Sequence, residues 1–138
     1  MFPQDKRNGA RHWCARMSVR VVNPDAPVIA CLSLYPDRGE SLPENTRLPP
    51  ASTLWRLRGM AVLPPYQGQN IGTQLLRHAI SHLAALNHND NPLILWCNAR
   101  TSATGFYRRN GFAIIGDRFI IDGIGPHYPM GLVIARVR

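Results

Sequence analysis

The sequence predicts a mixed α/β fold built as one domain, and three observations support this prediction. A chain of 138 residues, 45% apolar and 17% charged, can bury a single core of ordinary size. One long segment repeats its apolar residues with helical spacing, whereas the segments on both sides of it have the composition of strands. A strand, a helix and a second strand in succession form a parallel pair. We therefore expect a mostly antiparallel sheet with one parallel pair, flanked by helices.

The amino-terminal half is predicted to contain strands and loops. Residues 1–10 are polar and include proline and glycine, so we expect a loose leader before a single domain over residues 11–138. Residues 23–27 are typical of a hairpin loop, and residues 36–50 have no apolar period and should form a surface loop. A proline pair ends the third of the strands, which are expected over residues 11–22, 28–34 and 55–62.

The carboxyl-terminal half contains a predicted long helix and four further elements. Residues 93–97 form a short continuous apolar run, as expected of a strand covered on both faces. Residues 102–109 should form a short helix, because an Asn-Gly pair that tolerates left-handed backbone follows them. Two more strands are expected over residues 113–121 and 128–137, with residues 122–127 as the loop between them. The long helix is predicted from apolar residues three and four apart, namely Ile71, Leu75, Leu76, Ala79, Ile80, Leu83 and Leu86.

The charge of the chain attracts anions. Sixteen Lys and Arg residues against eight Asp and Glu give a net charge of +8, and fifteen of the sixteen cations are Arg, which suits bidentate contacts to phosphate. Nucleic acid, an anionic membrane surface and a phosphorylated cofactor are all compatible with this charge. No RNP motif, recognition helix or zinc knuckle is visible, so nucleic acid is an unfavoured partner. No apolar run approaches the ~20 residues needed to cross a bilayer, so no membrane partner is expected.

The three cysteines predict reduced thiols. Cys14, Cys31 and Cys97 are odd in number and form no CxxC pair, so we expect neither a disulfide framework nor a zinc site. His78 and His82 are four residues apart on the predicted helix, but no carboxylate accompanies them as in HExxH. A solvated helix flank is the better interpretation of this pair, and no metal is predicted.

Because no signal-peptide pattern opens the sequence, the expected location is cytoplasmic.

The turn at residues 62–73 joins a predicted strand to the long helix and has the features of an anion site. The first main-chain amides of a helix lack internal partners, and the helix dipole is positive there. Gly68 and Gly72 would let phosphate oxygens approach the main chain, and Asn70 is the non-glycine residue type best able to adopt positive φ. Because Gly72 rather than Lys precedes Thr73, and GxGxxG is absent, ATP and NAD are poor candidates. A plain turn that binds nothing is the alternative.

Two motifs resemble those of the GNAT superfamily of N-acetyltransferases. The superfamily's acyl-CoA signature is similar to the segment Gln67-Gly68-Gln69-Asn70-Ile71-Gly72. Asn70 stands where the signature has its first glycine, and Val62 and Pro64 precede the segment as they do in the family. Downstream, residues 103–112 resemble the second cofactor motif, a Phe-Tyr pair followed by Gly-Phe. The resemblance extends over about residues 11–137.

The resemblance implies a transferase that moves the acetyl group of acetyl-CoA to a primary amine, which the sequence does not identify. It implies that Tyr107 is the general acid for the departing thiolate and that Asn98 hydrogen-bonds the pantetheine amides. In the family, main-chain groups of the preceding strand, here Met60, Ala61 and Val62, bind the pantetheine arm and the acetyl carbonyl. The diphosphate would lie against Gln67, Gly68, Gln69, Asn70, Ile71, Gly72 and Thr73.

Compared with a usual member of the family, the chain is short at its start. It lacks room for the first strand and the two helices that commonly shape the acceptor pocket. The expected fold is therefore an N-terminally short GNAT-like sheet, splayed between its parallel strands to admit the cofactor. Because an uncovered edge strand invites pairing, we expect a homodimer.

The group that accepts the proton of the amine is left open by the sequence. Many family members place a Glu on the strand before the phosphate turn, but residues 55–62 contain no carboxylate. The candidates are His127, Asp122 and Asp117, or water alone. His127 lies in a segment that resembles a strand-to-strand connection of some uncharacterised GNAT subfamilies, and histidine titrates near neutral pH. A histidine that only fixes its loop, and a Tyr107 that only fills the core, are the alternatives.

Two other functions remain open. An acyl-CoA-binding regulatory module with weak catalysis is favoured by Asn70 and by the missing Glu, and a basic nucleic-acid-binding domain is favoured by charge alone. Cofactor phosphates could account for part of the charge through four nearby arginines: Arg77, Arg100, Arg108 and Arg109. The tryptophans are expected to lie in the core rather than to stack on bases: Trp13, Trp55 and Trp96.

Overall fold

The computed structural model describes residues 9–16, 28–50, 52–87 and 91–134. Most of the expected leader lies outside these residues. The same holds for two pieces of predicted strand, residues 17–22 and residues 135–137.

Seven strands form one sheet in the described part of the chain, in the order β1-β2-β3-β4-β7-β5, with β6 also paired to β7. All neighbours are antiparallel except β3 and β4, which are parallel. This confirms the predicted mixed sheet with one parallel pair. The strands are β1 (Arg11–Arg16), β2 (Val28–Asp37), β3 (Thr53–Val62), β4 (Leu93–Arg100), β5 (Ala113–Ile114), β6 (Phe119–Ile121) and β7 (Gly125–Ile134).

Two α-helices accompany the sheet. The first, α1 (Ile71–Leu86), connects the parallel strands and covers one face of the sheet. The second, α2 (Thr104–Arg109), follows a 3₁₀ turn at Thr101–Ala103. The apolar face of α1 is buried as its spacing predicts, through Leu75, Leu76, Ala79 and Leu83. None of the described helices is long and apolar enough to cross a membrane.

The parallel pair is joined along only part of its length. Residues 53–56 of β3 pair with residues 93–96 of β4, and no pairing between the two strands continues beyond Arg56 and Trp96. From there, β4 remains paired with β7 as far as Arg100, opposite His127. The sheet therefore opens between β3 and β4, and the edge of β3 that faces this opening has main-chain groups without a strand partner. The splay that was expected from the family resemblance is present.

A bulge bends β3 where the opening begins. Ser33 of β2 lies opposite Arg58, and Cys31 lies opposite Ala61. An advance of two residues along β2 therefore corresponds to three residues along β3, so β3 carries one extra residue. The extra residue is accommodated at Gly59, whose φ of 67° lies in the left-handed region. The Cys31 thiol donates to the Gly59 carbonyl oxygen at 3.4 Å. The bulge turns β3 away from a regular ladder just before Met60, the first residue that was expected to contact the cofactor.

The predicted strand over residues 113–121 is wrong, because the chain bends in its middle. Only its two ends are strands, β5 and β6. Between them, Ile115 donates to the carbonyl of Pro129 and accepts from the amide of Arg47, so it connects the sheet to the loop after β2. Gly116 is buried against Pro129, where an added Cβ would lie 2.9 Å from the proline ring. This close packing forces a bend that apolar composition does not reveal.

Two strands are longer than their prolines suggest. β7 begins at Gly125, not at Tyr128, so most of the predicted loop 122–127 is strand or tight turn. β2 continues through Pro36 to Asp37. Within β7, Pro129 lies opposite Asn98 and its carbonyl still accepts a hydrogen bond, so the missing N–H interrupts the sheet little.

The tryptophans lie in or against the core, as predicted. Trp96 is fully buried and its indole N–H donates to Asp37 Oδ2 at 2.7 Å. Trp13 and Trp55 are partly buried against the same core. The three cysteines are free thiols, and Cys14 lies opposite Cys31 across β1 and β2.

Candidate active site

The turn before α1 has the backbone conformation that an anion site requires. Asn70 is the N-cap of α1 with φ 63° and ψ 12°, as predicted for a non-glycine residue in the left-handed region. Gly68 has φ 78°, and an added Cβ there would meet nothing within 4 Å. The Asn70 side chain makes no capping hydrogen bond, and no acidic residue lies in the first turn. The first amides of α1 are therefore not blocked by a side-chain cap, and no negative charge in that turn opposes an anion.

Gly72 has a different environment from Gly68. It is buried, and an added Cβ would lie 3.2 Å from Met60 Cε, 3.3 Å from Val62 Cγ2 and 3.6 Å from Phe106 Cε2. A glycine here lets the first turn of α1 pack closely on β3 and α2. Its small size therefore supports the packing around the turn.

A groove of about 580 Å³ lies beside this turn, between the start of α1, the end of β3 and α2. We call it the helix-side groove. The predicted cofactor residues that line it are Met60, Ala61, Val62, Gln67, Gly68, Asn70, Ile71, Gly72, Thr73 and Tyr107. Gln69 is absent from this lining and donates through Nε2 to the Pro65 carbonyl at 3.4 Å. Asn98 is also absent from it.

A second cavity of about 360 Å³ occupies the opening between β3 and β4 and reaches β6 and β7. We call it the strand-side cavity. It shares Met60, Ala103 and Tyr107 with the helix-side groove, so the two spaces meet at these residues. Its other lining residues are Arg56, Leu57, Arg58, Gly59, Cys97, Asn98, Ala99, Arg100, Ile121, Ile124 and His127.

Tyr107 lies at the junction with only 7% of its surface exposed. Its ring makes edge contacts with Phe106 and Phe112, at centroid distances of 5.1 and 5.3 Å. The Cys97 thiol lies beside its hydroxyl. Burial, and then the nearby Cys97, raises the pKa of Tyr107 far above its ordinary value, and burial raises the pKa of Cys97 to about 12. Both groups are neutral at physiological pH, so Tyr107 holds a proton there, although it is a weaker acid than a free phenol.

His127 lies in the same cavity as Tyr107 and is 4% exposed. Its Nδ1 is 2.7 Å from the Gly125 carbonyl oxygen, and its ring contacts Phe119 at 5.9 Å between centroids. A carbonyl can only accept, so Nδ1 carries the hydrogen in a neutral ring and Nε2 is the basic nitrogen. The hydrogen bond fixes the loop and the cavity position leaves Nε2 available, so the two roles that the sequence left as alternatives, a base and a loop-fixing histidine, are compatible with each other.

The other two candidate bases lie elsewhere. Asp117 lines a third cavity of about 420 Å³ and accepts from Asn45 Nδ2 at 3.2 Å. Asp122 is exposed and lines none of the three cavities. Of the three side chains proposed as bases, His127 alone shares a cavity with Tyr107.

Asn98 separates the strand-side cavity from the third cavity and lines both. Its Oδ1 is buried and has no hydrogen-bond partner in the described part of the molecule. A buried amide oxygen without a partner is costly, so this acceptor is a place where a ligand N–H would fit. A side-chain acceptor at Asn98 is what the family resemblance implies for binding a pantetheine amide. The contact itself stays a prediction.

Several lining residues were not predicted from the sequence. Ser102, Phe106 and Tyr66 line the helix-side groove together with Arg109, one of the four arginines assigned to cofactor phosphates. Arg100, also in that group, lines the strand-side cavity instead. Arg77 and Arg108 are exposed and line neither space. Two further lining residues, Arg56 and Arg58, could have been found from two charged residues spaced two apart within an otherwise apolar strand.

The described residues hold no group of three or more His, Cys, Asp and Glu side chains placed to bind a metal ion. His78 and His82 are both exposed on α1, and the His82 ring contacts Trp13 at 5.5 Å.

The open mixed sheet, whose parallel strands diverge around a groove and a connected cavity, has the splay that the family resemblance implies. A family model described as an acetyltransferase (GNAT) domain matches residues 8–114. The chain belongs to the GNAT acetyltransferase family.

The chain is similar to curated relatives and to solved structures. It is 38% identical over 88 residues to the uncharacterized N-acetyltransferase YitI of Bacillus subtilis (strain 168), covering 64% of this chain and 56% of YitI. It is 36% identical over 67 residues to the peptidyl-lysine N-acetyltransferase YjaB of Salmonella typhimurium (strain LT2), covering 49% of this chain and 41% of YjaB. The chain thus spans about half the length of these relatives.

One of the similar solved structures is an aminoglycoside 6'-N-acetyltransferase complexed with coenzyme A. It superposes with a TM-score of 0.63 at 14% identity, covering 95% of this chain and 76% of that one. At this level of identity, the likeness concerns the fold.

Proposed function

We propose that this chain transfers the acetyl group of acetyl-CoA to a primary amine. The observation that carries the proposal is the meeting of the helix-side groove and the strand-side cavity at Tyr107. Two substrates that enter from the two spaces would be brought together there, and aligning reactants in this way supplies a large part of catalysis.

The residues of the helix-side groove fit the cofactor. The free amides at the start of α1 and the open space above Gly68 suit a diphosphate, and Arg109 adds a cation at the same groove. The unpaired edge of β3, over residues 60–62, offers main-chain groups to the pantetheine amides in the manner of a neighbouring strand. Acetyl-CoA supplies the activated acetyl group.

The acid and the base of the proposed transfer lie in one cavity. Tyr107 is neutral and would give its proton to the thiolate that leaves when the amine attacks the thioester carbonyl. His127 Nε2 would take a proton from the amine, since its Nδ1 is already held by the Gly125 carbonyl. The unpaired main-chain amides near Met60 are the candidates to stabilise the negative charge that develops on the carbonyl oxygen.

Thiol release from acetyl-CoA with a panel of primary amines tests this proposal. Tyr107→Phe should lower kcat by about 100-fold or more, the usual contribution of a positioned acid, without changing acetyl-CoA binding measured by calorimetry. Tyr128→Phe is the matched control, because Tyr128 lies on β7 outside both spaces. Equal rates for wild type and Tyr107→Phe would remove Tyr107 from the chemistry.

One observation favours the regulatory module as the second candidate. The hydroxyl of Tyr107 is deeply buried and its pKa is raised, which makes it a poor proton donor. A chain that binds acetyl-CoA in calorimetry but releases no thiol with any amine of the panel would be a binding module.

A further inference from the structure

The strand-side cavity is strongly cationic. Three arginines line it, Arg56, Arg58 and Arg100, and none of its described lining residues is Asp or Glu. The rest of its lining is largely apolar, including Leu57 and Ile121. Charges in such surroundings are screened less than they would be in bulk water, so the field of the three guanidinium groups acts on anything that enters.

Arg56 is placed to bind a ligand, because part of its hydrogen-bonding capacity is unused. Its guanidinium lies 4.6 Å from the centre of the Trp96 ring, and its Nε is buried without a hydrogen-bond partner in the described part of the molecule. Burial first, and the like charge of Arg58 as well, lower the pKa of Arg56, whereas Tyr35 and Asp37 raise it. Asp37 does not line the cavity. An anionic oxygen beside Arg56 would fill the unused donor and relieve the repulsion from Arg58.

Arg100 connects this charge to the candidate base. In the ladder of β4 and β7, Arg100 lies directly opposite His127, so the two side chains project from the same face of the sheet. Arg56 and Arg58 are two residues apart on β3 and also share a face. An amine whose anionic group is held by the arginines would therefore be kept in the same cavity as His127 and Tyr107.

We infer that the acceptor is a small primary amine that also carries a carboxylate or phosphate group, which the arginines of the strand-side cavity bind. This inference rests on the proposed function. It excludes polycationic acceptors such as polyamines and aminoglycosides, since each added ammonium group would face three guanidinium groups.

Matched pairs of acceptors test the inference. β-Alanine is compared with propylamine, and phosphoethanolamine with ethanolamine, so that each pair differs in the anionic group. We expect kcat/KM to be about 10- to 100-fold higher for the anionic member, the range for a hydrogen bond between charged groups. The pair with the larger ratio of kcat/KM values shows whether the cavity prefers a carboxylate or a phosphate. Spermidine and kanamycin should be poorer acceptors than the neutral amines.

Arginine variants assign the effect to the cavity. Arg56→Gln and Arg100→Gln should each lower kcat/KM for the anionic amines about 10-fold more than kcat/KM for propylamine and ethanolamine. Arg38→Gln is the matched control, because Arg38 is exposed and lines neither space. A general loss of activity with all amines would indicate a structural role for the arginine and would contradict the inference.

Two further readouts separate this inference from the proposed function. If acetyl-CoA does not bind in calorimetry, the proposed function fails. If acetyl-CoA binds but neutral or polycationic amines are acetylated as well as anionic ones, the inference fails and the function stands. If the chain transfers no acetyl group, the binding of phosphoethanolamine and of ethanolamine is compared directly by calorimetric titration. There, equal binding of the two compounds would overturn the inference.

Discussion

At the scale of single residues, the site depends on which hydrogen bonds are already made. His127 donates from Nδ1 to the Gly125 carbonyl, which leaves Nε2 free to act as a base. Two aromatic rings pack against Tyr107 and fix its position, and burial keeps its hydroxyl neutral. Position and protonation state are thus set by neighbours that do not themselves react.

Replacing His127 by Asn separates its two roles. The amide nitrogen of Asn can replace Nδ1 as the donor to the Gly125 carbonyl, but it provides no base at the position of Nε2. We expect kcat/KM for the amine to fall by about 100-fold or more, with acetyl-CoA binding and the melting temperature little changed.

His78→Asn, on the exposed face of α1, is the control for this substitution and should behave as wild type. An unchanged rate for His127→Asn would mean that water alone accepts the proton of the amine.

At the scale of elements, the turn before α1 combines two requirements. Its left-handed residue, Asn70, directs the chain into the helix, and its glycine, Gly68, leaves open space beside the free amides. The family signature has glycine where this chain has Asn70, and the structure shows that asparagine adopts the conformation the turn needs.

Substitution at Asn70 measures how much this conformation matters. Asn70→Ala should lower the free energy of unfolding by about 1 kcal/mol, because asparagine, with its short polar side chain, adopts the left-handed region more readily than alanine does. Asn70→Gly should leave stability nearly unchanged and preserve or strengthen acetyl-CoA binding. Urea unfolding and calorimetry measure the two effects.

Gln69→Ala provides the comparison, since Gln69 is not among the described residues with positive φ. If Asn70→Ala were as stable as wild type, the turn would have relaxed to another conformation.

The sequence predicted the elements whose signal is local. The periodicity of α1, the apolar run of β4 and the Asn-Gly pair after α2 depend on neighbours along the chain, and all three predictions are confirmed. The bend at Gly116 depends on packing against Pro129 and Thr46, which are distant in sequence. For the same reason, β7 was predicted to start too late, because its prolines are read as loop residues until the pairing with β4 is known.

For a related reason, the sequence predicted the helix-side groove better than the strand-side cavity. Most residues of the helix-side groove lie in two contiguous motifs and could be named from the sequence. The arginines of the strand-side cavity converge only through the register of β3 and the pairing of β4 with β7. No local pattern contains that register, so the sequence does not reveal that Arg100 lies opposite His127.

At the scale of the molecule, the buried pair Cys97 and Tyr107 connects the site to stability. Both groups are neutral in the folded chain, and burial raises the pKa of Cys97 from 9.0 to about 12. Above pH 9 the unfolded chain loses the thiol proton while the folded chain keeps it. The unfolded state then binds fewer protons, so the free energy of unfolding must fall as the pH rises through this window.

We expect this loss to approach ~1.4 kcal/mol per pH unit for one thiol, with Tyr107 adding to it at higher pH. Urea unfolding between pH 8 and pH 10 measures the slope. Cys97→Ala should flatten it, whereas Cys14→Ala, at an exposed thiol, should not. Identical slopes in the two variants would show that the thiol of Cys97 is not the origin of the pH dependence.

The homodimer expected from the exposed edge of the sheet stays a prediction.

The short pairing of β3 with β4 also determines how the whole molecule can deform. Four residue pairs join the half-sheet β1-β2-β3 to the half containing β4 and β7, whereas eight pairs join β4 to β7. A rotation of one half against the other disturbs few hydrogen bonds of the sheet, so the width of the cleft between them is a soft coordinate. Helix α1 contacts β1, β2 and β3 on one side and β7 on the other, and it acts as the brace that limits this rotation.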